Sequence, residues 1–487
     1  MPPTCSSTVG CLSTVAPSSS SPSPLLEIHV HDLTLKATAS ALVFALGQPG
    51  SNIPARKFPN GVQQGTSCIL SVAPESKFAS SPTVPLVLTP KTPVGNVSQK
   101  REQSITLLVQ LKPQGFLVGV FKYYQTSTWQ RVEAISGNAP FPYYALQTRP
   151  SPSGSKIHVL LFSTVDPETW MSKLPSSAPL SSFCIPGTHE SLARYGYPIS
   201  TCQNVASTVA AQLAAGIRFL DVRVNAKGKG YPSQQKLLAY HGVTDERIEF
   251  GQVLAQCWDF LDGVGKSETV IISMKPEADA ATMQACFEQV YLNPTKSRWF
   301  LEPRVPTLGE ARGKLILMSR YGSSSDQPGG IHPSIWPNSE KDIFSYIIPS
   351  GQKVETQDWY NVGTLGSLGD KFQLMQKLLS SSGSDPNTLS INFANGSSFP
   401  LALPPSVAMG ALGYTGMNKR ILDYVANQLL QASRTSPLAA LGEKGAVAPL
   451  PWNGATNPLK CIFNLDYYET TPDLVPLLIQ ANFQQNP

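Results

Sequence analysis

Two patterns of hydrophobic placement divide the chain. From residue 25 to about 165 the apolar positions come in short runs broken by Gly, Pro and Ser. Leu26–Leu33 (LEIHVHDL) alternates, while Ser104–Leu111 (SITLLVQL), Phe116–Tyr123 and Ile157–Phe162 (IHVLLF) read as partly buried strands. Period-two runs uninterrupted by an amphipathic helix predict an all-β, sandwich-like N-terminal domain over 25–165. After Pro167 strand-like runs alternate with helical ones. The strand candidates are Phe183–Ile185, Ile217–Val222, Leu237–Tyr240, Thr269–Met274, Lys314–Met318, Leu389–Phe393 and Cys461–Leu465. Between them Gln203–Ala214, Phe250–Phe260, Ala280–Tyr291 and Asn418–Leu430 have helical spacing, the first with Val205, Val209 and Leu213 on one face. Nearly all-apolar strands between helices predict a parallel sheet covered on both faces. Over 175–487 the expected α/β architecture is an irregular TIM-like (β/α) barrel, with an open doubly wound sheet as the alternative.

A chain of 487 residues exceeds what one core usually organises, in keeping with two domains. Residues 1–24 are Ser/Pro-rich and expected to be a disordered leader. With 43 prolines and only 14% charged residues, the composition points to many turns rather than to general disorder. A net charge of +5 is too weak over this length to indicate nucleic acid, though it suits approach to an anionic membrane surface. No apolar run reaches the roughly 18 residues of a membrane span. The first residues lack the basic and apolar regions of a secretory signal, so a cytoplasmic or peripheral membrane location is expected, with export by another route left open. The eight cysteines include no C-x-x-C pair, a pattern wrong for zinc and weak for a disulfide framework.

Catalytic side chains of a (β/α) barrel sit just past the C-terminal ends of its strands. Those positions supply His189 and Glu190, then Asp221 and Arg223, His241 beside Gly242, Lys275, Arg320 and Asp466. Two imidazoles with ordinary pKa values near ~6.5 can act as one base and one acid at neutral pH. A guanidinium between them suits a pair of phosphate oxygens, and carboxylates beside the histidines fix their tautomers. The set describes transfer at a phosphodiester by positioning and electrostatics. The remaining four histidines, His29, His31, His158 and His332, are expected to be structural.

The segments IPGTHES, RFLDVRV, AYHG and TVIISMKPE, in this order, resemble the catalytic X region of phosphatidylinositol-specific phospholipase C in its bacterial and fungal, metal-independent form. The resemblance runs from about residue 175 to the end of the chain. It implies a phosphatidylinositol-type lipid substrate, peripheral membrane contact, a cyclic inositol phosphate product, and neither metal nor other cofactor. His189 would then be the general base, His241 the general acid, and Arg223 the phosphate ligand. Asp466 would orient His189, and Asp221 would stand behind the phosphate-binding network. Lys275 and Arg320 match positions that contact inositol, and Gln357-Asp358-Trp359-Tyr360 resembles the segment whose Asp358 and Tyr360 embrace the ring. Where the bacterial pattern has Asp after the first histidine, this chain has Glu190, longer by a methylene, which leaves the turnover rate open.

Two other functions remain open at this stage. One is a metal-dependent glycerophosphodiesterase or sphingomyelinase on a similar barrel, against which Arg223 and Lys275 argue because fixed cations repel a divalent ion. The other is a catalytically weakened lipid- or inositol-phosphate-binding protein with an intact pocket. Trp336 reads equally as a rim aromatic or as a core cover.

Overall fold

The computed structural model describes residues 26–33, 42–46, 67–72, 83–90, 105–112, 128–136, 143–150, 156–321, 329–382, 385–435 and 459–483. The expected leader and the candidate strand Phe116–Tyr123 lie outside the described residues.

The first nine strands form two sheets. One has the order β3 (Ser67–Val72), β1 (Leu26–Asp32), β9 (Lys156–Ser163), β8 (Tyr143–Thr148), β6 (Trp129–Arg131). The other runs β2 (Leu42–Leu46), β4 (Thr83–Pro90), β5 (Ile105–Gln110), β7 (Glu133–Ser136). Among the described residues of these two sheets, only β1 and β9 pair in parallel. Alternation along β9 explains the layering: Ile157, Val159 and Leu161 share a core with Ile28, Val30, Leu86 and Leu107, whereas Leu160 and Phe162 belong to the core of the following α/β region. The five-stranded sheet docks there on a helix. Asp423 accepts from the backbone N–H of Thr128 at 2.9 Å, and Trp129 Nε1 donates to Asn427 at 3.0 Å.

The α/β region holds a curled sheet of eleven strands. Its main path is β15 (Trp299–Phe300), β16 (Leu315–Ser319), β14 (Val270–Pro276), β11 (Phe219–Lys227), β10 (Cys184–Thr188), β22 (Cys461–Leu465), β19 (Thr388–Phe393), β18 (Lys353–Gln357), β17 (Ile343–Ile347). All neighbours on this path are parallel except β17 with β18. Between the described strands the ring does not close, so the sheet is a half-barrel with an open seam between the β16 and β18 sides. A small hairpin, β20 (Gly410–Ala411) with β21 (Tyr414–Thr415), stands apart.

Three expectations need correction. Leu237–Tyr240 is not a barrel strand: β12 (Lys236–His241) pairs antiparallel with the outer end of β11 and with β13 (Thr244–Glu249). A parallel strand stands instead at β18, whose sequence KVETQ has a single aliphatic residue and gave no hydrophobic signal. The helix expected from Gln203 starts only at Val209, after Thr208, whose hydroxyl caps Ala211 N–H at 3.2 Å. Residues before it are drawn elsewhere, because the Gln203 amide donates to the carbonyls of His189 and Leu465, leaving Val205 64% exposed.

Packing around the strands follows the sequence spacing. The helix Phe250–Asp262 buries Phe250, Val253, Leu254, Cys257, Phe260 and Leu261, one stripe at three- and four-residue steps. Close approach dictates Gly187: a Cβ there would stand 2.6 Å from Asn464 Oδ1 and 2.9 Å from Phe219 Cβ on the two flanking strands. At the opposite end from the strand C-termini, Arg218 is wholly buried against Glu268 at 2.9 Å. It also donates to the carbonyls of Leu213, Ile217, Pro167 and Glu168. Removing one partner of such a pair strands a charge in low dielectric, so Arg218→Met is expected to lower unfolding free energy by about 3–5 kcal/mol. Urea titration followed by far-UV circular dichroism measures this, and a loss below about 1 kcal/mol would overturn it.

Candidate active site

Seven strand ends deliver polar side chains to one rim. His189 and Glu190 directly follow β10, Arg320 follows β16, Asp358 follows β18, and Asp466 follows β22. Within β11, Asp221 and Arg223 are two residues apart and face the same side. Register sets Arg223 opposite Lys275 of β14. His241 reaches the rim differently, on the β12–β13 hairpin, whose two-residue turn has Gly242 at φ +58°.

Arg223 occupies the centre. Its Nη1 lies 2.6 Å from Glu190 Oε1 and 3.3 Å from Glu277 Oε1, and its Nη2 lies 3.3 Å from Asp221 Oδ2. Asp221 also binds Arg320 at 3.2 Å. Burial would raise the Asp221 carboxyl, but Arg223 and Arg320 outweigh it and hold the group below its ordinary value. The positive φ of Glu190, +42°, is the local cost of turning its side chain back under Arg223. Burial pushes Glu190 up to about 7 in spite of that guanidinium.

The same network fixes the proton on His189. Arg223 Nη2 and Asn395 Nδ2 both stand 3.1 Å from His189 Nε2. A guanidinium only donates, so Nε2 accepts and the ring proton lies on Nδ1, which donates to Asp466 Oδ1 at 2.9 Å. Burial first, then the charge of Arg223, holds His189 well below its ordinary 6.5. The result is a neutral imidazole with its acceptor turned toward the rim. His241 is anchored by Nδ1–H donating to the Ser200 carbonyl at 2.6 Å, and its Nε2 lies 3.8 Å from Glu190 Oε1.

His189, Arg223, His241 and Asp466 line a cavity of about 690 Å³ together with Lys275, Tyr360 and Phe399, a size suited to a small polar ligand. Lys275 Nζ is held by Glu277 at 3.0 Å. Asp358 accepts from Trp336 Nε1 at 2.9 Å and keeps its other buried oxygen without a partner. Tyr360 donates to Asn338 at 2.5 Å. Across the open seam, Arg320 lies 3.6 Å over the Trp336 ring, so one tryptophan ties the two sheet edges together. All ten residues expected at the site are thus brought to one rim. Sequence reasoning did not place Glu277 or Asn395 in the site and left Trp336 open between rim aromatic and core cover. The first two stand just past strand ends and were findable by position, whereas Trp336 sits in a loop without periodicity.

The profile described as the phosphatidylinositol-specific phospholipase C X domain matches residues 176–321. Over that stretch the chain is similar to the X domain. Two curated relatives are named 1-phosphatidylinositol phosphodiesterase. The one from Listeria monocytogenes is 29% identical over 170 residues, covering 32% of this chain and 50% of that protein. The one from Staphylococcus aureus strain Newman is 27% identical over 234 residues, covering 45% and 72%. The chain therefore spans half the length of the first relative. Among solved structures, phosphatidylinositol-specific phospholipase C from Staphylococcus aureus has a TM-score of 0.47 and 20% identity, covering 65% of this chain and 97% of that one. Its counterpart from Listeria monocytogenes has a TM-score of 0.47 and 21% identity, covering 65% and 99%.

The X-domain match includes His189, Arg223, His241, Lys275 and Arg320, while Asp358, Tyr360 and Asp466 lie beyond it and join the rim through the later strands. Histidine-selective ¹⁵N NMR tests the proton assignment. At pH 6 the His189 ring is expected to remain neutral with unprotonated Nε2, and Arg223→Ala is expected to raise its pKa, because it removes the nearest cation. A ring that titrates at about 6.5 in the wild type would refute the assignment.

Proposed function

We propose that the chain is a phosphatidylinositol-specific phospholipase C-type phosphodiesterase that forms a cyclic inositol phosphate by two-histidine acid–base catalysis. The observation that carries this reading is the neutral acceptor Nε2 of His189 sharing one cavity with His241, with the Arg223 guanidinium beside them. His189 Nε2 takes the proton of the inositol 2-hydroxyl while Asp466 supports the imidazolium that forms. The freed oxygen bonds to phosphorus, and Arg223 binds the phosphate oxygens as negative charge grows on them. As the bond from phosphorus to the diacylglycerol oxygen breaks, His241 Nε2 supplies the proton. With His241 Nδ1–H committed to the Ser200 carbonyl, the acid form is the imidazolium, whose Nε2 lies 3.8 Å from Glu190 Oε1. Asp358 and Tyr360 are suited to inositol hydroxyls and ring face, with Lys275 and Arg320 on the opposite wall. No resident metal enters this scheme, since Arg223, Lys275 and Arg320 supply the positive charge.

A membrane surface is the matching partner. Near the cavity mouth Val243, at the tip of the hairpin bearing His241, is 97% exposed, and Tyr197 and Phe399 are 72% and 71% exposed. Ser200 Oγ and Thr244 Oγ1 meet at 2.9 Å, joining the Tyr197 loop to that hairpin. Such side chains gain by entering the acyl boundary of a bilayer. Among the described residues no helix is long and apolar enough to cross a membrane. We infer that residues 25–165 form a sandwich-like accessory domain and that the catalytic domain begins near 175.

Phosphatidylinositol vesicles incubated with EDTA are expected to release a cyclic inositol phosphate, read by ³¹P NMR, with His189→Ala and His241→Ala each slower by at least about 10²–10⁴-fold. Folded protein that releases nothing, with or without calcium, would leave a binding site in place of an enzyme. Val243→Ser combined with Tyr197→Ser is expected to weaken vesicle binding roughly tenfold or more in sedimentation, while cleavage of a soluble, monomeric inositol phosphodiester stays unchanged. Equal vesicle binding would remove those loops from the membrane surface.

A further inference from the structure

Cys202 lies against the catalytic pair without a part in the reaction proposed above. Its Sγ, one ring nitrogen of His189 and one carboxylate oxygen of Asp466 all lie within 4.8 Å of one another. The thiol is buried, 1% exposed, yet it borders the cavity that holds His189. Its backbone is clamped on both sides: Cys202 N–H donates to the Ala193 carbonyl at 2.9 Å, and Tyr467 N–H donates to the Cys202 carbonyl at 2.9 Å. The end of β22 therefore fixes the thiol and Asp466 together. One oxygen of Asp466 already accepts from His189, and the other, Oδ2, is buried without a hydrogen-bond partner. An unsatisfied carboxylate oxygen at full burial is costly, and a cation relieves that cost.

From this we propose that His189, Cys202 and Asp466 form an inhibitory site for a soft divalent metal of the zinc class. One nitrogen, one sulfur and one oxygen ligand, with a fourth position open to the cavity, match the donor set and coordination number of Zn²⁺. Metal–ligand bonds of about 2.0–2.3 Å place tetrahedral ligands roughly 3.3–3.7 Å apart, so the cluster needs to contract by about 1 Å. Calcium and magnesium are excluded by chemistry, since they require several oxygen ligands and gain little from a thiol. Positive charge nearby is no bar, because Arg223 is already surrounded by Glu190, Asp221 and Glu277. On binding, Cys202 Sγ releases its proton to water and forms the metal–sulfur bond. His189 then holds the metal through the Nε2 lone pair, or through Nδ1 with the Nδ1 proton transferred by way of water to Nε2. Either way Nε2 has no lone pair left to accept the substrate proton. The inhibitory consequence rests on the reading of His189 as base; the metal site does not.

Cobalt(II) titration of the full chain tests the site without substrate. A one-to-one complex with a near-ultraviolet thiolate-to-cobalt band and tetrahedral visible bands is expected. Cys202→Ser is expected to lose the thiolate band, and His189→Gln and Asp466→Asn to weaken binding at least tenfold. In phosphatidylinositol cleavage, micromolar Zn²⁺ is expected to slow the wild type at least tenfold, reversibly with EDTA, while equal Ca²⁺ or Mg²⁺ does nothing. Cys202→Ser and Cys202→Ala are expected to resist Zn²⁺. A thiolate band that survives both cysteine substitutions, or no band in the wild type, would overturn the proposal. A band in a protein without lipid cleavage would preserve the site and sink only the enzymatic reading.

Discussion

A guanidinium taken out of water needs compensation from every side, and Arg223 draws it from three strand ends. Glu190 comes from the turn after β10, Asp221 from β11 itself, and Glu277 from just past β14. Its remaining direction is used on His189 Nε2. Removing any one of them leaves the guanidinium with less compensation for its lost hydration. The positive φ at Glu190 and the two-residue spacing of Asp221 and Arg223 both serve this centre. The parallel sheet is what makes such convergence available, since only neighbouring strands of one direction end side by side.

The open seam poses the complementary problem. A half-barrel has two edges, and polar groups beyond them would drift without something to join them. Trp336 does this twice over, stacking under Arg320 from one edge and donating to Asp358 from the other. Below it, Lys371 is wholly buried and donates to the Trp359 carbonyl at 2.6 Å, anchoring the segment that carries Asp358 and Tyr360. Burial lowers that ammonium to about 7, and its field adds to the forces keeping His189 neutral. The residues that join the site across the seam, Trp336 and Lys371, thus carry no strand-end signature.

That distinction explains how much was legible beforehand. Strand-end side chains were readable because apolar runs such as TVIISM and KLILM mark where a strand stops. The β18 strand was not, since KVETQ is buried through Thr356 and Gln357, polar residues, of which the Gln357 amide donates to Asn392 on the neighbouring strand. Leu237–Tyr240 misled for the opposite reason: an apolar run long enough for a barrel strand is equally good in a hairpin arm. Likewise the spacing of Val205, Val209 and Leu213 was helical, yet Gln203 had stronger bonds to make at the ends of β10 and β22. Local periodicity reports burial; it does not report which carbonyls lack partners elsewhere.

The two histidines show how one side chain is given two chemistries by its surroundings. His189 is buried, has its proton pinned toward Asp466, and meets cations on its free nitrogen, so its neutral form is the stable one. His241 sits on a partly exposed hairpin with its side chain 25% accessible, its Nδ1–H fixed by a carbonyl and its Nε2 turned toward a carboxylate. Solvent reaches that ring and Glu190 faces it, while the guanidinium of Arg223 is held among three carboxylates. Under the proposed reaction the base must begin neutral and the acid charged, and the sequence order of the two elements is irrelevant to that outcome. In that proposal the roles rest on which ring lies behind Arg223 and which lies in front of Glu190.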